Sequence, residues 1–248
     1  MALRFEQFHQ PLNAVVVGAT GGIGRAFVDA LAGSEQVARV LALARSPQRE
    51  WPDGVEAGEI DILDETSIER AAARAAEEPV DLVVVATGLL HDGDRVQPEK
   101  SLRDLDAETM LRVFHVNAVA PAMLAKHFLP TLRKRSKTVF AALSARVGSI
   151  SDNRLGGWAS YRASKAALNM LLRTASIEHA RRNSSSVVVA LHPGTVDTGL
   201  SAPFQSNVPD GQLFSPETSV DRLLDVIDSV GPDDSGGFFA WDGQPIDY

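Results

Sequence analysis

Tyr161 and Lys165 stand four residues apart in SYRASKAALNM. That spacing places both side chains on one face of a helix. A phenol titrates near pH 10, so tyrosine is a poor acid–base group unless a neighbouring cation stabilises its phenolate. An ammonium one turn away supplies such a cation. A surface tyrosine beside a solvated lysine has the same spacing, so the pair gains meaning only from its company. Ser144 closes the apolar run KTVFAALS, Asn117 lies in the helical pattern before it, and HPGTVDTG follows the next apolar run. A hydroxyl, an amide, a phenol and an ammonium in this order suit proton transfer at an oxygen atom.

A second cluster suits an anion. GATGGIG follows the apolar run NAVVVGA and holds Gly18, Gly21, Gly22 and Gly24. These do not have the GxGxxG spacing of the general dinucleotide fingerprint. The physical provisions are the same: a turn open to positive φ, no Cβ to obstruct a pyrophosphate, and a helix beginning at once. The next apolar run ends in LALARSPQRE, which offers Arg45 and then Arg49 before any acid, the first being Glu50. NAD sites usually carry an acid there for the ribose hydroxyls, whereas an arginine suits a 2′-phosphate. NADP(H) is favoured, with NAD(H) second.

These residues need a frame to hold them. NAVVVGA, VARVLALA, VEAGEIDI, VDLVVVAT, KTVFAALS, SSVVVALHPG and GGFFAWDG read as strands. Helical patterns separate them: GRAFVDALAG with Gly33 as C-cap, and DETSIERAAARAAEE with Thr66 and Glu69 as a capping box. A longer pattern runs from Asp106 to Leu132, with Pro121 and Pro130 expected to bend or break it. WASYRASKAALNMLLRTASIEHARR and TSVDRLLDVIDSV complete the set. Strands alternating with helices predict one α/β domain over residues 1–248, a Rossmann-type doubly wound parallel sheet with helices on both faces. The Pro/Gly/Ser-rich stretch 195–216 reads as a lid rather than a boundary.

Composition removes other classes. A net charge of −8 argues against broad nucleic-acid or anionic-membrane binding, which needs a positive field. No apolar stretch approaches the roughly 18 residues that span a membrane, and MALRFEQFHQPL lacks a secretory pattern. A cytoplasmic location is expected. With no cysteine and no metal-like spacing among the six histidines, no metal site is expected. LRKRSK sits at a helix end, where the dipole favours cations. Trp158, Phe204 and Trp241 fit a pocket wall or ordinary packing equally well. Arg146 and Arg154 either attract an anionic substrate or pair with acids such as Asp152.

Taken together, these motifs resemble the short-chain dehydrogenase/reductase family over nearly the whole chain. GATGGIG is similar to its cofactor turn and DIL, at Asp61 and Ile62, to its adenine contact. ATG, at Ala86 to Gly88, resembles its NAG-type segment, with Thr87 in place of the more usual alanine. Asn117, Ser144, Tyr161 and Lys165 match its catalytic tetrad, and PGTVDT its nicotinamide contact. SARVGSISDNRLGGW and GGFFAWDGQPIDY are similar to C-factor-type signalling proteins and carbonyl-reductase-like relatives.

The resemblance implies a cofactor held by Gly18, Thr20, Gly22, Ile23 and Gly24 at the turn, with Arg45 on the 2′-phosphate. It further implies contacts from Asp61, Ile62, Ala86 and Gly88, from Asn117, Tyr161 and Lys165, and from Pro193, Gly194, Val196 and Thr198. Tyr161 would act as general acid or base and Ser144 would orient the substrate oxygen. Lys165 would lower the Tyr161 pKa and bind the nicotinamide ribose. Asn117 would hold a relay water, with a local bulge in its helix exposing a carbonyl. The implied substrate is a small carbonyl or secondary alcohol, and the implied assembly a homodimer or homotetramer. A signalling or redox-sensing protein that binds nucleotide without turnover is the alternative. An epimerase is disfavoured because no sugar domain follows the last strand.

Overall fold

The β-branched run LNAVVV forms β1 (Leu12–Val17), buried on both faces between two parallel neighbours. Those neighbours are β2 (Val37–Ala44) and β4 (Leu82–Val85), with β3 (Val55–Glu59) beyond β2. On the other side follow β5 (Thr138–Leu143), β6 (Ser186–His192) and the last strand β9 (Phe238–Ala240). The order β3-β2-β1-β4-β5-β6-β9 is parallel throughout. After β3 the chain crosses back over β1 to begin β4. That reversal opens a crevice at the carboxyl ends of β1 and β4, where doubly wound sheets bind ligands. The computed structural model describes residues 5–46, 50–209 and 211–248. Arg49 lies outside the described residues.

Both faces are covered. Helices α1 (Gly22–Ala32) and α6 (Pro216–Ser229) bury Phe27, Leu31, Leu223 and Ile227 against Val16, Val139 and Val189. The other face takes α2 (Glu65–Ala75), α4 (Ala120–Phe128) and α5 (Ala159–Ala180) through Ile68, Phe128, Leu168 and Leu172. Helix α3 (Ala107–Phe114) precedes α4 and packs on α5. Alternate residues of each strand serve opposite cores, which is why the central strands read as continuous apolar runs.

Two details differ from the sequence expectation. The cap of α2 is Asp64, whose carboxylate accepts the Thr66 N–H at 3.0 Å, rather than a box between Thr66 and Glu69. Asp64 comes two residues earlier and serves the same orphan donors. The long pattern from Asp106 to Leu132 is neither one helix nor broken at Pro121. It runs as α3, a π turn over His115–Val119, α4, and a 3-10 turn over Leu129–Thr131. Pro121 has no N–H to give the carbonyl of Asn117 four residues earlier, so a widened turn is accommodated there. Pro130 falls in the closing 3-10 turn, as expected of a terminator. The stretch 195–216 carries short elements of its own. β7 (Thr195–Val196) and β8 (Leu213–Phe214) pair in parallel and bracket a 3-10 turn over Ala202–Asn207.

Candidate active site

The bare turn has a physical reason. Gly18 has φ +85°, and a Cβ there would lie 3.0 Å from the Ala86 carbonyl oxygen. A Cβ on Gly24 would fall 2.1 Å from the Gly18 oxygen, so α1 rests directly on the turn. Gly22 is closed from the lid side, since its Cβ would meet Thr198 Cγ2 at 2.6 Å. The N-cap Gly21 has no side chain to cap α1, which leaves first-turn N–H groups and the positive end of the dipole open. Such an end holds a phosphate readily.

A cleft of about 680 Å³ opens beside this turn at the β1–β4 crevice. Of the residues singled out from sequence, Gly18, Thr20, Arg45, Asp61, Ile62, Ala86 and Gly88 line it. Arg45 is exposed and makes no ion pair among the described residues. The Thr87 hydroxyl at the wall is buried with no partner. Volume, cradle and open helix end fit a dinucleotide. Ile23 packs against the α1-side core instead of lining the cleft. Pro193 accepts a hydrogen bond from Ser219 at 2.7 Å, Gly194 has φ +80° with Phe214 against it, and Val196 is buried. Thr198 faces the turn at Gly22, and Leu200 of the lid comes within 3.9 Å of where a Gly88 Cβ would stand.

Asn117 and Lys165 meet behind Gly88 of the cleft wall, with Tyr161 one turn before Lys165, and none of Asn117, Ser144, Tyr161 and Lys165 lines the cleft itself. Lys165 Nζ donates to the Leu143 carbonyl at 2.8 Å, one residue before Ser144. Ser144 donates to Asn169, one turn beyond Lys165, at 2.7 Å. Asn117 is fully buried in the π turn. Its amide accepts the Leu89 N–H at 2.7 Å and donates to the Leu89 carbonyl at 2.8 Å and to Ser164 Oγ at 3.0 Å. Ser164 in turn donates to the Tyr161 carbonyl at 2.8 Å. Leu89 in the loop after β4, the π turn and α5 are thus tied into one unit. A Cβ on Gly88 would stand 3.7 Å from both Asn117 Oδ1 and Lys165 Nζ, so the glycine keeps the space between them and the cleft open.

Burial governs the charges. Lys165 is only 3% exposed, and desolvation pulls its pKa down to about 8. Desolvation pushes the Tyr161 phenol well above its usual range. Lys165 Nζ lies 5.8 Å from the Tyr161 ring centroid and points to Leu143. Tyr161 is therefore a neutral phenol, and burial alone sets the direction of its shift. His192, at the end of β6, is held neutral with a pKa of about 4 by burial and the nearby Arg146.

The family model for short chain dehydrogenase matches residues 12–209, most of the chain. The chain belongs to the short-chain dehydrogenase family. The C-signal protein of Myxococcus xanthus is 38% identical over 148 residues, 60% of this chain and 84% of that protein. The 1-hydroxy-2-glutathionyl-2-methyl-3-butene dehydrogenase of Rhodococcus is 31% identical, over 76% of this chain and 78% of its own. The NADPH-bound carbonyl reductase from chicken fatty liver superposes with a TM-score of 0.83 at 27% identity, covering 98% of this chain and 97% of its own. C-signal-like and carbonyl-reductase-like members are thus among its relatives.

Several residues of this short-chain dehydrogenase escaped the sequence reading. Glu99, from the polar loop after β4, is buried. Its carbonyl accepts the Trp158 N–H at 2.6 Å and its carboxylate accepts both the N–H and the hydroxyl of Ser160. It caps α5 one residue before Tyr161. No local pattern announces it, because the partners are about sixty residues apart. Arg95 and Arg112 also line the cleft, both on Asp92, at 3.0 and 2.7 Å. Trp158, at φ +53°, lies edge-on to Tyr161 at 6.3 Å and to Phe204 at 5.0 Å, and Phe204 meets His91 at 5.8 Å. These aromatics join the stretch 195–216 to the first turn of α5. Trp241 lies edge-on to Phe214 at 4.9 Å, with the Arg222 guanidinium over its ring at 4.3 Å, outside this group. Arg146 pairs with Asp152 at 3.6 Å. No group of three or more His, Asp or Glu among the described residues could hold a metal, and no described helix is long and apolar enough to cross a membrane.

The turn geometry makes one substitution decisive. Gly24→Ala forces a methyl into the Gly18 oxygen, so it should weaken nicotinamide dinucleotide binding at least about tenfold while the sheet still folds. Titration of cofactor fluorescence, with circular dichroism as the folding control, reads this. Unchanged affinity would mean that the turn does not hold the pyrophosphate.

Proposed function

We propose that the protein is an NADP(H)-dependent oxidoreductase that interconverts a carbonyl and a secondary alcohol of a small molecule. The observation that carries this reading is the burial of Tyr161 and Lys165 on one face of α5, with Lys165 Nζ bonded one residue before Ser144 and close behind Gly88 in the wall of a cleft shaped for a dinucleotide. NADPH in the chicken reductase supports the cofactor choice. Bound in the cleft, the cofactor supplies the hydride. Gly18, Thr20, Gly22, Gly24 and the first-turn backbone N–H of Ile23 hold the pyrophosphate end, Arg45 the 2′-phosphate, and Asp61, Ile62, Ala86 and Gly88 the adenosine half. Pro193, Gly194, Val196 and Thr198 close over the nicotinamide half.

Tyr161 donates its proton to the substrate oxygen in reduction and takes it back in oxidation. Lys165 stabilises the phenolate left behind and holds the nicotinamide ribose. Ser144 orients the substrate oxygen. The carbonyl of Asn117, lacking an N–H from Pro121, holds a water that links Lys165 to solvent. A cytoplasmic homodimer or homotetramer is the setting we propose. Leu111, Val119, Met170 and Ile177 expose apolar surface along α3, the π turn and α5, the faces expected to meet a second copy. Light scattering should give at least a dimer mass at micromolar concentration, and a monomer would remove this assembly.

The likeness to C-signal supports a second reading, nucleotide binding for signalling without turnover. One panel separates the two. Ketones and aldehydes offered with NADPH should be reduced by the wild type, and Tyr161→Phe should lose roughly 10²–10⁴ in kcat while still binding cofactor. Tight binding with no reduction anywhere in the panel would favour signalling.

The lowered pKa of Lys165 gives a pH dependence. Lys165 carries its charge below about 8 and loses it above. For carbonyl reduction, kcat/KM should be flat below that pH and fall about tenfold per unit above it, because kcat/KM reports the free enzyme. A profile flat through pH 9 would contradict a required ammonium. Arg45 gives the cofactor test. A charge-assisted bond to phosphate is worth ~1.5–3 kcal/mol, so Arg45→Ala should weaken NADPH roughly tenfold to a hundredfold and leave NADH nearly unchanged. Equal losses for both would leave Arg45 a loop support.

A further inference from the structure

Asn169 follows Tyr161 and Lys165 at the next turn of the same helix face and is 1% exposed. Its amide oxygen accepts the Ser144 hydroxyl proton at 2.7 Å, and its Nδ2 is buried with no partner. This arrangement is doubly awkward for a carbonyl reductase. A serine hydroxyl has one proton, and here it is committed to Asn169, so nothing remains to donate to a substrate carbonyl, which brings no proton of its own. A buried N–H pair without an acceptor is also a costly group to leave unmade.

One motion answers the first difficulty. The two ends of an amide exchange places by a half-turn about its last side-chain torsion, with no change in volume. With Nδ2 directed at Ser144 Oγ, the amide becomes the donor and the serine oxygen the acceptor. The Ser144 proton is then free to point into the site. The amide oxygen takes the unpaired position, and an under-satisfied carbonyl is more readily tolerated than an orphaned N–H.

We propose that Asn169 is a positioning residue that donates through Nδ2 to Ser144 Oγ and so directs the serine proton to the substrate oxygen. This rests on the oxidoreductase reading above. It assigns to Asn169 a job that an aspartate of the same shape cannot do. A carboxylate only accepts, and it would hold the serine proton away from the substrate. A leucine neither accepts nor donates, and it would leave the hydroxyl free but less well aimed.

The test measures kcat and KM for a carbonyl that the wild type reduces, with cofactor affinity and melting temperature as controls. Asn169→Asp should lose roughly tenfold to a hundredfold in kcat, as for removal of a donor to a developing oxyanion. Its KM for cofactor should be unchanged, and part of the loss should return at low pH, where the protonated acid can donate. Asn169→Leu should lose less than Asn169→Asp. Neither substitution should cost anything further in a Ser144→Ala background. Full activity in Asn169→Asp, or a larger loss in Asn169→Leu than in Asn169→Asp, would overturn the inference. If the aspartate variant does not fold, Asn169→Leu decides alone. A loss that vanishes without Ser144 supports the role, and an equal loss in both backgrounds overturns it. A wild type that reduces no carbonyl removes both readings, whereas an active wild type matched by an active Asn169→Asp removes this one alone.

Discussion

The structure turns on one buried cation. Lys165 is held almost out of water with, among the described residues, a single hydrogen bond, to the carbonyl of Leu143. An ammonium in that position is costly, and the cost is tolerable only with good partners close by. Its surroundings are arranged to let it stay. Gly148 lacks a Cβ because one would fall 2.8 Å from the Lys165 Cβ, and this lets the segment after β5 lie against α5. Gly88 leaves the ammonium open toward the cleft. The lysine therefore has a partner at the sheet and an exit toward a ligand, which is the condition for its charge to act on chemistry there.

The second constraint is how α5 is held still. Tyr161 lies in its first turn, the part of a helix most prone to fray. Three consecutive residues at positive φ, Gly156, Gly157 and Trp158, bring the chain into that turn, and Glu99 reaches across from another loop to satisfy it. From the other side Asn117 binds both the N–H and the carbonyl of Leu89 and hands on to Ser164. The π turn that places Asn117 is a local cost to helix geometry, and Pro121 makes the regular alternative worse. Side chains that touch chemistry are thus positioned by others that do not.

Much of this was legible because periodicity and spacing are local. The alternation of strands and helices follows from which faces are buried, and the bare turn at Gly18 to Gly24 follows from what must approach it. Tyr161 and Lys165 announce themselves by helical spacing. Glu99 and Asn169 did not. Glu99 is defined by a contact with Ser160 across the fold, and Asn169 reads as one more polar residue on a long helix until Ser144 is seen beside it. The cap at Asp64 was misplaced by two residues because Thr66 also satisfies the pattern. The balance of pKa effects was also hidden. Sequence shows a cation one turn from a phenol, but not that both are dry, and dryness is what raises the phenol.

The central claim is that the Lys165 charge makes Tyr161 a usable acid once a cofactor occupies the cleft. The chain has only two tyrosines, Tyr161 and Tyr248, so phenolate absorbance can be followed residue by residue with Tyr248→Phe as background. Titrating that protein with oxidised cofactor bound, alongside the same protein carrying Lys165→Met, measures the effect directly. The account predicts that Tyr161 ionises at clearly lower pH with Lys165 than without it, and that in the free protein it stays protonated well into the alkaline range. Coincident titrations for the two cofactor-bound proteins would contradict it.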